Sequence, residues 1–283
     1  MILDAPFPPD PRVENEAVSL IKAGHEVFLF CLKYTDEKVS EVINGIQIKR
    51  YYSNQLEYKL SALAYTVPVY SLLMCNKIHQ FIKDTKIEAF HIHDIRIAQA
   101  VINANKKYNF PVVLDLHDNM PEVMKLYPHL QKFPGKYIIS PKRWKQKEEE
   151  FIIKADKVIS VSPEFIDTLI ARLPSEKDKF VLVPNTIRKS FFEDYKVDVN
   201  ITERYKNKFV ILYLGDTNIR RGLQTAISSV ATLQQKIPNL KLVIVGKNTT
   251  DTILKQQAEE LKISELVDFE GWQNVTLFQS YIL

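Results

Sequence analysis

The sequence predicts an α/β chain of two domains, each a parallel sheet with helices on both faces, the second incomplete. Three observations carry this. Short apolar runs alternate with amphipathic stretches at helical spacing along nearly the whole chain. That alternation implies parallel, doubly wound sheets, whose ligands sit at the carboxyl ends of the strands. The rhythm fails once, over 187–208, a polar and charged stretch with no sustained apolar period, and then restarts. A length of 283 residues suits one large or two medium domains. The domains read as 1–186 and 209–283, with 187–208 as the linker.

The elements follow in order. Met1–Leu3 reads as the tail of a first strand, because three apolar residues make a poor strand alone. The proline-rich loop Pro6–Asp10 is rigid, since proline fixes φ and removes a donor. Val13, Ala17, Leu20 and Ile21 mark an amphipathic helix stopped by Gly24. Val27–Leu32 and Ile46–Tyr51 are buried strands. Leu60–Ile82 is helical but contains Pro68, so a kink or break is expected near Thr66. Ala89–Ile92 is a strand, Ile95–Tyr108 a helix and Val112–Leu116 a strand. Ile138–Ile153 is mostly helical and Lys157–Val161 a strand. Pro163–Arg172 is a helix capped by Ser162, and Phe180–Val183 a short strand. After the linker come strand Phe209–Leu214, helix Leu223–Lys236, strand Leu240–Val245, helix Thr252–Leu261, strand Val267–Phe269 and a last helix from Thr276.

Composition narrows the function. The net charge of +4 is mildly basic. It fits anionic ligands or a membrane surface and is too weak for a nucleic-acid partner. Cys31 and Cys75 show no metal or CxxC spacing and read as free buried thiols in a reducing compartment. Met1 is followed at once by Asp4 and the proline turn, so no leader peptide is read. The expected location is the cytoplasm, with peripheral contact to the inner face of the cell membrane.

The stretch Ile211–Gly222 is the most informative. An apolar run ends in Gly215, crosses a polar loop holding Arg220 and Arg221, and opens a helix at Gly222–Leu223. A strand that delivers a loop to a helix N-terminus presents free N–H groups and a positive dipole, which suits a diphosphate. The competing reading is an ordinary surface loop with solvated arginines.

Four segments in this order resemble a GT-B glycosyltransferase of the retaining family 4 type. They are Phe7–Arg12 with Glu16 and Ala23–Val27; Val113–Asp118; Val183–Thr186; and Gly215 to Leu223 with Lys241–Gly246. The resemblance spans nearly the whole chain and implies two Rossmann-like domains. It implies transfer of a sugar from a nucleotide diphosphate sugar to a glycan or lipid-linked acceptor, with retention, in surface polysaccharide synthesis. No metal or other cofactor is expected, because protein cations and helix dipoles neutralise the leaving diphosphate. Family members continue into a Glu-x7-Glu segment that contacts the donor, so the sequence reads as truncated, chiefly at its C-terminus, and as inactive alone.

The same resemblance assigns candidate residues. Gly215, Arg220, Arg221, Gly222 and Gly246 fall in the donor site. Arg221 stands where the family has a lysine before the glycine, while Asp216 replaces the usual arginine and reads as a loop hydrogen-bonder. His117 and Asp118 are the candidate catalytic pair. His117 is expected as a neutral imidazole that can donate and accept beside the sugar; Asp118 either orients it or caps the next turn. Pro9, Asp10 and Arg12 lie on the acceptor side, where Arg12 is either a ligand contact or a salt-bridge partner of Glu16.

Rival readings remain open. His91 and His93 alternate onto one strand face and could bind a metal with Asp94, Asp115 or His117. Lys136, Lys142, Arg143, Lys145 and Lys147 interleave with Tyr137, Ile138, Ile139 and Trp144, which suits anionic lipid or a solvated helix. A GT-B sugar-nucleotide epimerase and an inactive nucleotide-binding fragment are the alternative functions.

Overall fold

Six of the apolar runs, and one short stretch not read as a strand, form one sheet in the first half of a computed structural model, which describes residues 1–127, 130–187, 193 and 197–283. The described chain divides into two units, Met1–Thr186 and Ile187–Leu283.

Unit 1 holds β1 (Phe28–Lys33), β2 (Ser40–Ile43), β3 (Ile46–Tyr52), β4 (Phe90–His93), β5 (Val112–Leu116), β6 (Lys157–Ser160) and β7 (Phe180–Leu182). They run in the orders β1-β3-β2 and β4-β5-β6-β7. Ile2 joins the two groups by bridging in parallel to Phe30 of β1 and Ile92 of β4. Its N–H donates to the His91 carbonyl at 2.8 Å, and its carbonyl accepts from the His93 N–H at 3.0 Å. Met1–Leu3 therefore does a strand's pairing in three residues. Parallel strands covered on both faces read as unbroken apolar runs. Side-chain alternation sends Phe30 to the cluster holding Ile78, Phe81 and Phe151, and Leu29 to the one holding Val13 and Ala17.

The break expected near Thr66 splits the stretch into helices Gln55–Ser61 and Val69–Asp84. Likewise 138–153 divides into Gly135–Ile138 and Pro141–Lys154, the second capped by Ser140. Ser162 caps Pro163–Arg172, accepting from the Phe165 N–H at 3.2 Å. The sequence reading missed β2, which pairs antiparallel with β3. Its signal was Asn44-Gly45, whose φ values of 51° and 83° suit the two central positions of a tight hairpin turn. Cys31 is buried and Cys75 only half-buried.

Unit 2 contains β8 (Phe209–Leu214), β9 (Leu240–Val245) and β10 (Val267–Gly271), parallel in the order β10-β9-β8. Leu223, Ile227 and Val230 pack on one face with Leu254 and Ala258; Ile201 and Tyr281 pack on the other with Val243 and Val245. Ile201 lies inside 187–208, so that stretch is not linker throughout. Helix Val199–Tyr205, capped by Asp198, forms there. Glu270 at the end of β10 binds this helix through Arg204 (3.0 Å) and the Tyr205 hydroxyl (2.8 Å), and the last helix through the Tyr281 hydroxyl (2.7 Å). Seven residues are too few to show a helical period, and the partners are distant in sequence, so the helix was hidden from inspection. Residues 188–192 and 194–196 of the expected linker lie outside the described residues.

The two glycines that end β8 and β9 touch. A Cβ on Gly246 would lie 1.8 Å from the Gly215 carbonyl oxygen, an impossible contact with backbone. At Gly222 the added atom meets nothing within 4 Å, and only its φ of 74° opposes a side chain. Gly246→Ala is expected to destabilise unit 2 by about 1–3 kcal/mol or more, through backbone displacement. Gly222→Ala should cost about 1 kcal/mol. Denaturant melts of the two variants check this, and equal losses would contradict the close approach.

Candidate functional site

In unit 1 the site is built where β4 and β5 end. Their register sets His93 opposite Asp115. Asp115 Oδ2 lies 3.0 Å from His93 Nδ1 and 3.2 Å from His117 Nδ1. The other ring nitrogen of His117 lies 3.3 Å from Asp94 Oδ2. Asp94 holds φ 73° and ψ 152°, a conformation nearly restricted to glycine that costs on the order of 1–3 kcal/mol. That turn lets the chain leave β4, start helix Ile95–Asn105 and still aim the carboxylate at His117.

The electrostatics follow from this packing. Burial alone would lower the pKa of His117, but hydrogen bonds to Asp115 and Asp94 outweigh it and lift the ring to about 10. His117 is therefore a cation at neutral pH, with both N–H groups facing carboxylates. This differs from the neutral imidazole expected from sequence, because Asp94 and Asp115 converge on it from two strand ends. Burial raises Asp115 and Asp94, yet the partners of each, His117 foremost, bring both below the usual carboxylate range. His93 is held neutral by burial despite its bond to Asp115. Asp118 is exposed, and its carboxylate makes no hydrogen bond among the described residues. Orientation of His117 thus comes from Asp115 and Asp94.

His91 and His93 do share a face, with rings stacked at 4.5 Å. Glu16, His91, His93 and Asp115 each bring one nitrogen or oxygen within 4.8 Å of the others, the set among the described residues able to gather round a metal ion. His93 is bonded to Asp115, and Glu16 Oε2 lies 3.3 Å from His91 Nε2 without a hydrogen bond between them. Burial first, then Asp115, pushes Glu16 up to about 7.

The proline loop leads into helix Pro11–Lys22. Asp10 caps that helix, accepting from the N–H groups of Arg12 (3.1 Å) and Val13 (3.3 Å). It also takes the Arg12 guanidinium at 3.0 Å, so Arg12 pairs with Asp10 and not with Glu16. Pro9 is exposed, while Phe7 anchors the loop in the core. Buried Arg50 donates to the Phe7 carbonyl through Nε (3.1 Å) and Nη2 (2.8 Å), pinning the loop from β3. Arg50 was not singled out from sequence; its only signal was a charge within an apolar strand.

Unit 2 carries the second group. Gly215 and Gly246 use their N–H groups to extend the sheet, donating to Val245 (3.0 Å) and Gly271 (2.8 Å). Their part is close backbone packing. Asp216 accepts from the Asn218 N–H (3.2 Å) and from Asn248 Nδ2 (2.7 Å), the loop role expected of it. Thr217 is buried and bonds Asp251, while Thr250 bonds the Thr217 carbonyl at 2.8 Å. Asp216, Thr217 and Asn248 thus lock the loop after β8 to the loop after β9. Arg220 and Arg221 remain exposed at the start of helix Leu223–Leu233, with Arg221 Nε 4.0 Å from Asp216. Two cations, a helix N-terminus and a stiffened loop together have the chemistry that a phosphate group needs.

Comparison with known proteins bears on the family and the fold. The family model described as Glycosyltransferase Family 4 matches residues 12–191, and that described as Glycosyl transferases group 1 matches 194–282. Among solved structures, a sucrose-phosphate synthase from Thermosynechococcus elongatus is similar with a TM-score of 0.70 at 16% identity, covering 96% of this chain and 66% of its own. A glycosyltransferase from Rickettsia africae follows at 0.65 and 15%, covering 97% and 68%. Anabaena HepE in complex with UDP and glucose gives 0.62 and 13%, covering 97% and 69%. The chain thus spans about two thirds of the length of these structures. A search of curated proteins finds no match.

The charge state of His117 is testable. Its folded pKa lies above the ordinary 6.5, so its contribution to stability is full below about pH 6.5 and is lost as pH rises through about 10. NMR of the ring should show it protonated at pH 8. Asp94→Asn should lower its titration by about 1–3 units. The fall in melting temperature between pH 7 and 10 should flatten in His117→Gln. A ring that titrates near its ordinary value would contradict the two-carboxylate geometry.

Proposed function

The chain belongs to Glycosyltransferase Family 4, with an α/β fold of the GT-B type, and we propose that it transfers a sugar from a nucleotide diphosphate sugar to a glycan or lipid-linked acceptor. The observation that carries this is the pair of family matches, which together run from residue 12 to residue 282. The Anabaena relative in complex with UDP and glucose supports a nucleotide-sugar donor. Retention, surface polysaccharide synthesis and a metal-free mechanism are part of the same reading. So are a cytoplasmic location and peripheral membrane contact; among the described residues no helix is long and apolar enough to cross a membrane.

The residues would divide the work. Arg220, Arg221 and the N–H groups at the start of helix Leu223–Leu233 would receive the diphosphate and stabilise negative charge as the glycosidic bond breaks. His117 cannot act as a general base while both ring nitrogens donate to carboxylates. Its proposed role is a fixed positive charge that holds Asp94 and Asp115 in place beside the sugar. Asp118 and the Pro9–Arg12 turn would contact the acceptor side. The gathering of Asp94, Asp115 and His117 also suits a sugar-nucleotide epimerase, which would release an isomerised sugar nucleotide without any acceptor.

Calorimetry with a panel of nucleoside diphosphates tests donor binding directly. Arg221→Ala should weaken the preferred one by roughly 1.5–3 kcal/mol, about ten- to a hundredfold. Arg220→Ala should cost less if Arg221 alone occupies the cation site, and equal losses would say that both hold the phosphates. His117→Ala should leave nucleotide affinity almost unchanged while slowing transfer. No binding of any nucleoside diphosphate would overturn the donor assignment. An inverted product anomer, read by NMR, would overturn retention. Turnover assays of this chain against a donor panel decide whether it is active alone or is a nucleotide-binding fragment.

A further inference from the structure

Unit 1 contains a cavity of about 540 Å³ that the site above leaves unused. Leu63, Met120, Met124, Leu130, Ile139 and Trp144 make its apolar wall. Its two charged lining residues, Lys59 and Arg96, are both cations. A second cavity of about 360 Å³ shares Tyr58 and Arg96 with the first and adds the polar side chains of Asp4, Tyr34 and Gln55. The larger cavity is thus mainly apolar, Arg96 stands where the two meet, and the smaller one sets a few polar groups in an otherwise apolar lining. Arg96 is balanced by Asp4, with Nη2 2.9 Å from Oδ1 and Nε 2.6 Å from Oδ2. Lys59 has no ion pair among the described residues and supplies net positive charge to the larger cavity.

The placement connects these cavities to the site. Arg96 lies two residues beyond Asp94, and Met120 three beyond His117, so both arise where β4 and β5 end. Ligands of parallel α/β sheets bind at that end. The volume falls within the range of small-molecule pockets, which hold an apolar body and a few fixed polar groups. Flexible methionines such as Met120 and Met124 adapt to chains of irregular shape. Phe133 and Tyr137, 84% and 77% exposed, flank the lining residues Pro134 and Ile138. Large exposed aromatics beside an apolar opening mark a surface that meets apolar material.

We propose that the acceptor is an anionic single-chain amphiphile: its hydrocarbon chain fills the larger cavity, its phosphate ester meets Lys59 and Arg96, and its polar end enters the smaller cavity. The word acceptor rests on the glycosyl-transfer reading; the binding itself does not.

Trp144 in the cavity wall serves as the reporter, in a Trp272→Phe background that removes the other, exposed tryptophan. The probes are alkyl phosphates from hexyl to tetradecyl, below their micelle concentrations, a nitroxide-labelled decyl phosphate, decanol and inorganic phosphate. The nitroxide chain should quench Trp144 saturably. Affinity should rise about fourfold per methylene until the cavity is full, and then level off. Decanol should bind about tenfold more weakly than decyl phosphate. Inorganic phosphate should not displace the chain. Lys59→Glu, at an exposed position, should abolish the preference for phosphate while leaving decanol unchanged. Ala62→Phe, which fills the cavity, should abolish quenching in a protein whose melt stays cooperative. Absence of saturable quenching, affinity that climbs without levelling, or equal binding of alcohol and phosphate would overturn the proposal. Nucleoside diphosphate calorimetry on the same proteins separates the two readings. Amphiphile binding without nucleotide binding would sink glycosyl transfer alone, and nucleotide binding without amphiphile binding would sink the acceptor class alone.

Discussion

Asp115 carries the first unit's site. A single buried oxygen, its Oδ2, faces His93 at 3.0 Å and His117 at 3.2 Å. An isolated carboxylate at 2% exposure would be expensive to bury, and it stays ionised because a cation sits against it and His93 bonds it as well. His117 is that cation, and it is kept charged by Asp115 together with Asp94, which faces its other nitrogen. Remove one member and the next is left as an uncompensated charge or a lost hydrogen bond. This mutual dependence explains the strained backbone at Asp94: the energy of aiming its carboxylate is offset by the stabilised imidazolium.

The second unit solves a different problem. There the critical contact is backbone on backbone, Gly246 against the Gly215 carbonyl, which brings the ends of β8 and β9 close enough for their loops to interlock. Asp216, Thr217, Asn248, Thr250 and Asp251 then exchange hydrogen bonds across the two loops. Two glycines that resembled direct phosphate contacts in the sequence act one step earlier. They allow the loop to be rigid, and the loop presents the arginines.

What could be read in the sequence was what has a local cause. Apolar runs marked the strands, Pro68 marked the break before Val69–Asp84, and Ser162 marked its helix start. Strand alternation placed His91 and His93 on one face. What could not be read depended on partners distant in the chain. Arg50 reaches the loop at Phe7 across 43 residues, and Arg204 and Tyr205 reach Glu270 across more than 60. The state of His117 depends on a strand end at Asp94 as well as on its own neighbour Asp115. Helical spacing offered Glu16 as one of two readings for Arg12, but Asp10, two residues before it, takes the guanidinium. A capping carboxylate already points at the helix start, and Glu16 lies beside His91 instead. The β2 hairpin was legible through Asn44-Gly45 and was overlooked.

The two sites also differ in when ordering is done. The charges around His117 are buried and paired before any ligand arrives, so they bring little extra entropy loss to binding. Arg220 and Arg221 are exposed, with Arg221 4.0 Å from Asp216, so on the proposed reading each would surrender rotamer freedom on meeting a phosphate. The planar guanidinium reduces that loss per hydrogen bond, which favours arginine over lysine at such a place. On the glycosyl-transfer reading, a site fixed in advance suits selecting the geometry of a sugar. A cationic rim that orders on contact suits capturing a diphosphate that must later leave. The locked loop beneath the arginines confines this freedom to the side chains, so capture can be adaptable without the sheet ends moving.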